Sequence, residues 1–205
     1  VIDGPPEYSI RHVVENALIS AIRDAAIKVD ERDREQVLKL IESYDLLIFE
    51  RIALYLRSEW PDIDPQGTES VVLDVATLEE DRLWSEMSNL LAKVFHTLPV
   101  DAQERYLEIV GRAEPARVAL QVQDEVEDVD GTEVEERVRY WQWQKLVPIA
   151  DYLAKEQTEW YKHLRELQQE FGEQMSPGPS FHEARGGWTQ LRSPLDNSEL
   201  AAMPV

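Results

Sequence analysis

Residues 133–156 read EVEERVRYWQWQKLVPIADYLAKE and predict one long helix that is apolar on two sides. At about 100° per residue, two sets of apolar side chains point in different directions. One set is Val134, Val138, Trp141 and Leu146, and the other is Tyr140, Trp143, Val147 and Ala150. A helix that is apolar on two sides packs between two neighbours. This stretch therefore predicts helices that are layered on one another.

The helical period recurs along most of the chain. Pro61 and Pro99 end helices, Gly111 is a predicted C-cap, and residues 62–68, with Pro65 and Gly67, predict a loop. Alternation with a period of two is sustained nowhere, so we expect an all-α fold. The predicted helices span residues 9–29, 33–43, 46–60, 69–75, 78–98, 101–111, 133–156 and 158–171, although residues 71–73 also suit a strand and residues 118–131 are compatible with helix or loop.

Two architectures agree with this pattern. The two-sided helices favour an irregular stack of helical hairpins, a HEAT-like solenoid segment, and the alternative is a compact helical bundle. No repeat of fixed length is present, which disfavours a regular repeat array. We assign residues 1–171 to the helical-repeat domain, 172–192, rich in Pro and Gly, to a flexible linker, and 193–205 to the start of a further helical unit.

The two ends of the sequence suggest a piece of a larger protein. The residues after Val1 lack the basic region and apolar core that a signal peptide has. At the other end, a short helix is predicted from Leu195, and Pro204 and the last residue, Val205, follow it. We therefore expect a truncated further unit, and any catalytic domain would lie outside this segment.

Composition narrows the function classes. The chain has 205 residues, with 41 acids against 21 bases and a formal net charge of −20. This acidity argues against direct nucleic-acid binding, which needs a basic surface. The sequence contains no run of about 18 apolar residues, so no membrane span is predicted. It contains no cysteine, which excludes disulfides and thiolate metal sites. We expect a cytoplasmic location and no contact with membranes.

No metal site is predicted. Residues 124–133, DEVEDVDGTE, resemble a calcium loop, because carboxylates alternate before Gly131. In that register, however, Val126 occupies the first ligand position and Arg137 occupies the position of the closing acid. The stretch is better interpreted as an acidic turn before a helix N-terminus. The four histidines, at 12, 96, 163 and 182, have no zinc-ligand spacing.

The sequence predicts no cofactor and no catalytic residue. It contains no GxxxxGK[ST], GxGxxG or GxSxG motif, so it lacks the common phosphate loops and the nucleophile elbow. An all-α enzyme would instead need a polar pocket between helices. The side chains that could converge there are those of Glu50, Arg51, Glu86, His163 and Glu166.

Aromatic residues provide the candidate interaction surface. Trp141 and Trp143 lie about 200° apart on a helix, so they face different directions. One of them can reach a partner, and tryptophan is enriched at interaction hot spots. The candidate surface comprises Tyr140, Trp141, Trp143, Trp160 and Tyr161, and the alternative is that these rings are buried within this chain.

Three stretches carry a family resemblance. They are residues 49–61 (FERIALYLRSEWP), residues 90–115 with the break FHTLP at 95–99, and residues 139–153 with Pro148 inside. Together they resemble the helical, HEAT-like region downstream of the ATPase core in large bacterial STAND/NACHT-type proteins, some of which act in antiviral defence. The tail at 193–203 is similar to a linker entering the next helical unit. The family's Walker motif is absent here, so the resemblance implies a sensing or scaffolding segment.

Three functions remain open. We favour a non-catalytic helical interaction segment of a larger multidomain protein, binding a protein partner or the chain's own other domains. The alternatives are an all-α enzyme and an acidic mimic of nucleic acid, for which the net charge would be suitable.

Overall fold

The described part of the chain is all-α, as predicted. A computed structural model describes residues 18–113 and 131–173, and no strand occurs within them. The helices are α1 (residues 18–26), α2 (Arg34–Glu42), α3 (Leu47–Glu59), α4 (Pro65–Val72), α5 (Val75–Glu79), α6 (Trp84–Val94), α7 (Val100–Arg112), α8 (Gly131–Leu146), α9 (Ala150–Glu156) and α10 (Thr158–Phe171). Short 3₁₀ turns lie at Glu31–Asp33, Asp81–Leu83, Phe95–Thr97 and Val147–Ile149.

Helix α3 lies between two apolar clusters. On one side it packs against α2, and on the other against α6. Ile52, Tyr55 and Leu56 belong to the cluster shared with α1 and α2, whereas Leu54 belongs to the larger cluster of the following helices. Since side chains three and four residues apart share a helix face, the dense apolar sequence of α3 supplies both clusters.

Ion pairs join α3 to α6 beside the apolar contacts. Arg51 donates to both carboxylate oxygens of Glu86, at 3.1 and 2.8 Å. Glu86 is buried, and a buried carboxylate is tolerated only when it is paired. Nearer the other end of α3, Lys93 donates to Glu59 at 2.6 Å. These pairs fix the register in which the two helices meet.

Helix α8 is held between α7 and α10. Its buried side chains are those of Val138, Gln142, Trp143, Lys145 and Leu146, which cover a wider arc than the single stripe of a one-sided helix. Val138 and Leu146 of the first predicted apolar side and Trp143 of the second are buried, whereas Tyr140 of the second side is exposed, so the predicted two-sided burial holds only in part. The buried Tyr106 hydroxyl on α7 donates to the backbone carbonyl of Lys145 at 2.9 Å and ties α7 to α8.

Two predicted long helices are interrupted, so these predictions were wrong. The helix predicted at 78–98 is divided at Glu80, which has an extended backbone and whose carboxylate accepts from the Arg82 N–H. The helix predicted at 133–156 gives way to a 3₁₀ turn at Val147–Ile149. Pro148 causes this break because its nitrogen has no hydrogen to donate and its ring clashes with the preceding turn.

Two further boundaries differ from the prediction. The predicted loop at 62–68 contains the start of α4, because Pro65 occupies the first helical turn and Asp64 caps it. Gly111 lies inside α7, and the C-cap is Ala113 in the left-handed conformation. A Cβ at Gly111 would lie 3.0 Å from the Trp160 ring, so this glycine permits a close approach of α10 rather than ending the helix.

Several predictions fall outside the described residues. These are the acidic stretch up to Asp130, the linker from residue 174 onward and the terminal unit at 193–205. Layering of α3 and α8 between neighbours agrees with either a stack or a bundle, so the solenoid stays a prediction.

Truncation of a core leucine tests the assignment of the larger cluster. Leu90→Ala is expected to lower the free energy of unfolding by about 2–5 kcal/mol, because Leu90 is 0% exposed. Leu40→Ala is the matched control on another helix; Leu40 is 56% exposed and should change stability by about 0.5 kcal/mol or less. Urea denaturation measures both, and equal losses would contradict the assignment.

Candidate functional site

A cleft opens beside α3 at the corner where α2 ends. It has a volume of about 150 Å³. One stripe of α3, comprising Glu50, Ala53, Leu54 and Arg57, forms one wall. The rest of the lining comes from Glu42, Tyr44, Val71, Thr77 and Leu83. The cleft is therefore an apolar hollow with carboxylates at its edge.

Arg57 closes the polar end of the cleft. Its guanidinium donates to Glu42 at 2.7 and 3.1 Å, to the Asp64 carboxylate at 2.9 Å and to the Thr68 hydroxyl at 3.1 Å. It also donates to the Asp64 backbone carbonyl at 3.3 Å. The side chain is buried, and these bonds compensate for its loss of water. Arg57 thus joins α2, α3 and α4.

Asp64 serves both Arg57 and helix α4. Its carboxylate accepts from the Gly67 N–H at 3.0 Å and from Arg57. The Gly67 N–H holds the pKa of Asp64 below its usual value, against burial, which raises it, while Arg57 lowers it further. This contribution to stability is present above the usual aspartate pKa and is lost as the pH falls through the lowered value. A Cβ at Gly67 would lie 1.9 Å from the Asp64 carboxylate, so only glycine allows the arrangement.

Three large apolar side chains stand exposed at the corner beside the cleft. Leu40 is 56% exposed, Tyr44 48% and Leu46 60%. The Leu46 N–H donates to the Tyr44 carbonyl at 2.9 Å, and the Tyr44 ring stacks on Phe49 at 4.7 Å between centroids. The corner is therefore held in a defined conformation. We call Leu40, Tyr44 and Leu46 the corner patch.

The predicted aromatic surface is divided by the structure. Trp143 is buried in the larger cluster, while Trp141, Trp160 and Tyr161 are partly buried against it. Tyr140 is exposed. Trp143 is the more deeply buried of the two tryptophans at 141 and 143, and both rings pack with the larger cluster. Whether any of them contacts a partner stays a prediction.

Trp143 anchors the end of α10. Its indole N–H donates to the Gly172 carbonyl at 3.0 Å. Its ring lies 5.3 Å from Tyr140 and 5.9 Å from Phe171, measured between centroids. An open groove of about 510 Å³ is lined by Tyr140, Phe171, Glu136 and Arg137. Tyr140, the most exposed residue of the predicted surface, therefore lies at this aromatic edge.

The polar groups considered for an enzyme form two separate sets. Arg51 and Glu86 pair between α3 and α6, and Glu50 lines the cleft. His163 and Glu166 are both on α10, with 4.0 Å between the His163 Nδ1 and a Glu166 oxygen. In the first set, Arg51 and Glu86 join two helices, while Glu50 faces the cleft. The second set, His163 and Glu166, lies where α7, α8 and α10 meet.

Gln142 determines how His163 bonds. Its amide donates to the carbonyls of Val110 and Gly111 at the end of α7, so its oxygen remains as an acceptor. His163 Nε2 lies 3.1 Å from that oxygen and must donate a proton to it. Burial lowers the pKa of His163, against Glu166, which raises it. These contacts give His163 a structural role.

Lys145 is a buried amine that lies against two indole rings. It is 1% exposed, and its Nζ lies 3.4 Å from the Trp84 ring centroid and 5.5 Å from that of Trp141. Burial lowers the pKa of Lys145 to about 7, against the Asp81 carboxylate, which raises it. The indole faces favour the ammonium form by cation–π attraction. The Trp84 N–H is also buried, and no residue within 18–113 or 131–173 accepts a hydrogen bond from it.

No group of three or more metal-binding side chains occurs in residues 18–113 and 131–173. Of the four histidines, His96 and His163 are described, and they lie on separate elements. None of the helices in the described ranges has the length and apolar character needed to cross a membrane.

Comparison with known proteins gives no relative: no protein-family model, no curated protein and no solved structure matches the chain. The candidate site therefore depends on its own geometry. Sequence reasoning singled out Glu50 but missed the rest of the cleft. The available signal was the apolar pair Tyr44 and Leu46 at a helix boundary, where polar residues are more common.

Replacement of Gly67 tests the network at the cleft. Gly67→Ala is expected to lower the free energy of unfolding by about 1–3 kcal/mol, because the methyl group displaces Asp64 from Arg57 and from the helix cap. Helix propensity alone predicts the opposite sign. Gln66→Ala, at the neighbouring exposed position, is the control. A Gly67→Ala chain as stable as the wild type in urea would contradict the network.

Replacement of Lys145 tests whether burial lowers the pKa of its amine. With a folded-state pKa near 7 and an unfolded value near 10.5, the unfolded chain binds the extra proton between these values. Wild-type stability should therefore rise from pH 7 towards pH 10 by about 1.4 kcal/mol per pH unit relative to Lys145→Met. Urea denaturation at several pH values measures this difference. The exposed Lys155→Met is the control, and parallel curves for Lys145→Met and wild type would refute the prediction.

Proposed function

We propose that this chain is a non-catalytic helical scaffold that binds a protein partner or other domains of its own protein. The observation that supports this most directly is the corner patch beside an apolar cleft. Three large apolar side chains are exposed within one short segment, residues 40–46, and clustered exposed apolar side chains are a feature of interaction sites. Isolated exposed leucines would carry no such meaning.

The polar side chains at the cleft support a binding role. The Arg57 guanidinium donates hydrogen bonds to Glu42, Asp64 and Thr68 and thereby connects three helices. Hydrogen bonds of this kind lock the walls of the cleft. A preformed surface loses less conformational freedom when a partner binds, which increases affinity.

The wider setting is part of the proposal. The resemblance to the helical region of STAND/NACHT-type proteins suggests a cytoplasmic, multidomain parent with a role in bacterial defence. In that setting the partner is either another domain of the same chain or a separate protein. The HEAT-like arrangement would supply the concave face for it.

An all-α enzyme is the second candidate, and Lys145 is the observation that favours it. An amine whose pKa lies near 7 is partly neutral at physiological pH and can act as a base or nucleophile. The amine is enclosed between Trp84 and Trp141, however, and does not line the described cleft. The corner patch is therefore the better-supported site.

Nucleic-acid mimicry is less favoured by the distribution of charge. Mimicry needs rows of free carboxylates, whereas Glu42, Glu59 and Glu86 are paired with basic side chains between helices. These acids contribute to the fold rather than to an ordered anionic surface.

Site-specific crosslinking tests the proposed function. The photoreactive p-benzoylphenylalanine, replacing Leu46 in the full-length parent protein, is expected to crosslink a partner or another domain in cell extract. The same amino acid at Val100, an exposed apolar position on α7, is the matched control and should give no such product. Excess unlabelled wild-type chain should abolish a product with a separate protein, whereas a product with another domain of the same molecule should persist. Equal crosslinking at both positions, or crosslinking to a separate protein that the competitor does not reduce, would overturn the proposal.

A further inference from the structure

The shape of the cleft limits what a partner can insert. An enclosed apolar cavity of about 150 Å³ holds a molecule as large as benzene, and the cleft beside α3 has about this volume. Its apolar lining comes from Ala53, Leu54, Val71 and Leu83, with Tyr44 at the side of the corner patch. One leucine or phenylalanine side chain is therefore of a size that the cleft can take.

The surroundings of the cleft are negatively charged. Arg57 pairs with both Glu42 and Asp64. Lys39 also acts on Asp64, and Arg82 acts on Glu50, but each of these cations is itself paired with a further carboxylate, Glu35 and Glu80 respectively. Negative charge therefore remains in excess around the cleft. Glu50 lines the cleft and is exposed, and Asp45 is exposed within the corner between Tyr44 and Leu46. The whole chain carries a net charge of −20. A cation at the rim of the cleft would be favoured by both the local and the long-range field.

The side chains of the corner extend the apolar contact outside the cleft. Leu40 lies one helical turn before Tyr44, and Leu46 follows Tyr44 by two residues through a hydrogen-bonded turn. Partner residues flanking the inserted side chain would contact these three groups. The surface therefore suits a segment with an apolar side and a basic side, as an amphipathic peptide has.

We propose that the cleft and corner patch bind a basic, amphipathic peptide segment of the partner, which inserts one large apolar side chain between α3 and α5 and places a lysine or arginine on Glu50. This inference rests on the proposed function and names its partner chemistry. A phosphate-bearing partner, such as a nucleic acid or an anionic lipid surface, would meet the carboxylates of the rim and be repelled.

Selection from a random dodecapeptide library tests the inference. Peptides that bind the wild-type chain are expected to be enriched in lysine or arginine together with leucine or phenylalanine. Leu46→Asp should weaken binding of the selected peptides at least tenfold by fluorescence anisotropy, through loss of apolar contact. Glu50→Lys should weaken it similarly and remove the preference for basic residues in a repeated selection.

Matched variants on α7 exclude general effects of charge and hydrophobicity. Val100→Asp and Glu104→Lys make the same kinds of change at exposed positions on another helix, and they should leave the affinity within about twofold. Circular dichroism melting curves confirm that all four variants fold.

The outcomes separate this inference from the proposed function. Peptides that depend on Leu46 but carry no basic residues, or that bind Glu50→Lys equally well, would overturn the basic-partner inference and leave the scaffold function standing. Equal effects of the α7 variants, or no peptides that distinguish Leu46→Asp from wild type, would overturn the docking site. The crosslinking experiment would then decide the scaffold function by itself.

Discussion

The burial of α3 on both of its long sides is the constraint on which the structure depends. Ile52 and Leu56 face the cluster of α1 and α2, and Leu54 faces the cluster that continues through α6 to α10. Because a single helix supplies both clusters, a change in its rotation would disturb each of them. The Arg51–Glu86 pair and the Arg57 network fix that rotation from its polar positions.

The same constraint creates the cleft. A helix that packs on two neighbours leaves a narrow third stripe, and here Glu50, Ala53 and Arg57 occupy it. The turn after α2 brings Tyr44 beside this stripe, with its ring fixed on Phe49. An apolar corner therefore forms next to a carboxylate without any dedicated loop. Function, in our proposal, uses surface that the packing of α3 cannot cover.

Local signals in the sequence predicted several helix bounds well. Residues 158–171 form α10 with the predicted bounds, and Pro61 and Pro99 separate helices as expected. The errors occur where a side chain acts on distant partners. Glycine is the usual C-cap residue, but Gly111 lies inside α7, where its lack of a side chain lets the Trp160 ring approach closely. Asp64 caps α4, which begins earlier than predicted, and the same carboxylate also binds Arg57.

By itself, the sequence determined the all-α class, the bounds of α10 and the helix ends before Pro61 and Pro99. Periodicity and steric rules act over a few residues, so one chain segment contains that information. Only the tertiary structure decided that Lys145 lies close to two indole rings and that Arg57 forms ion pairs with both Glu42 and Asp64. It also decided that the corner patch borders a cleft. These arrangements join residues that are distant in sequence, and their geometry follows from the packing of whole helices.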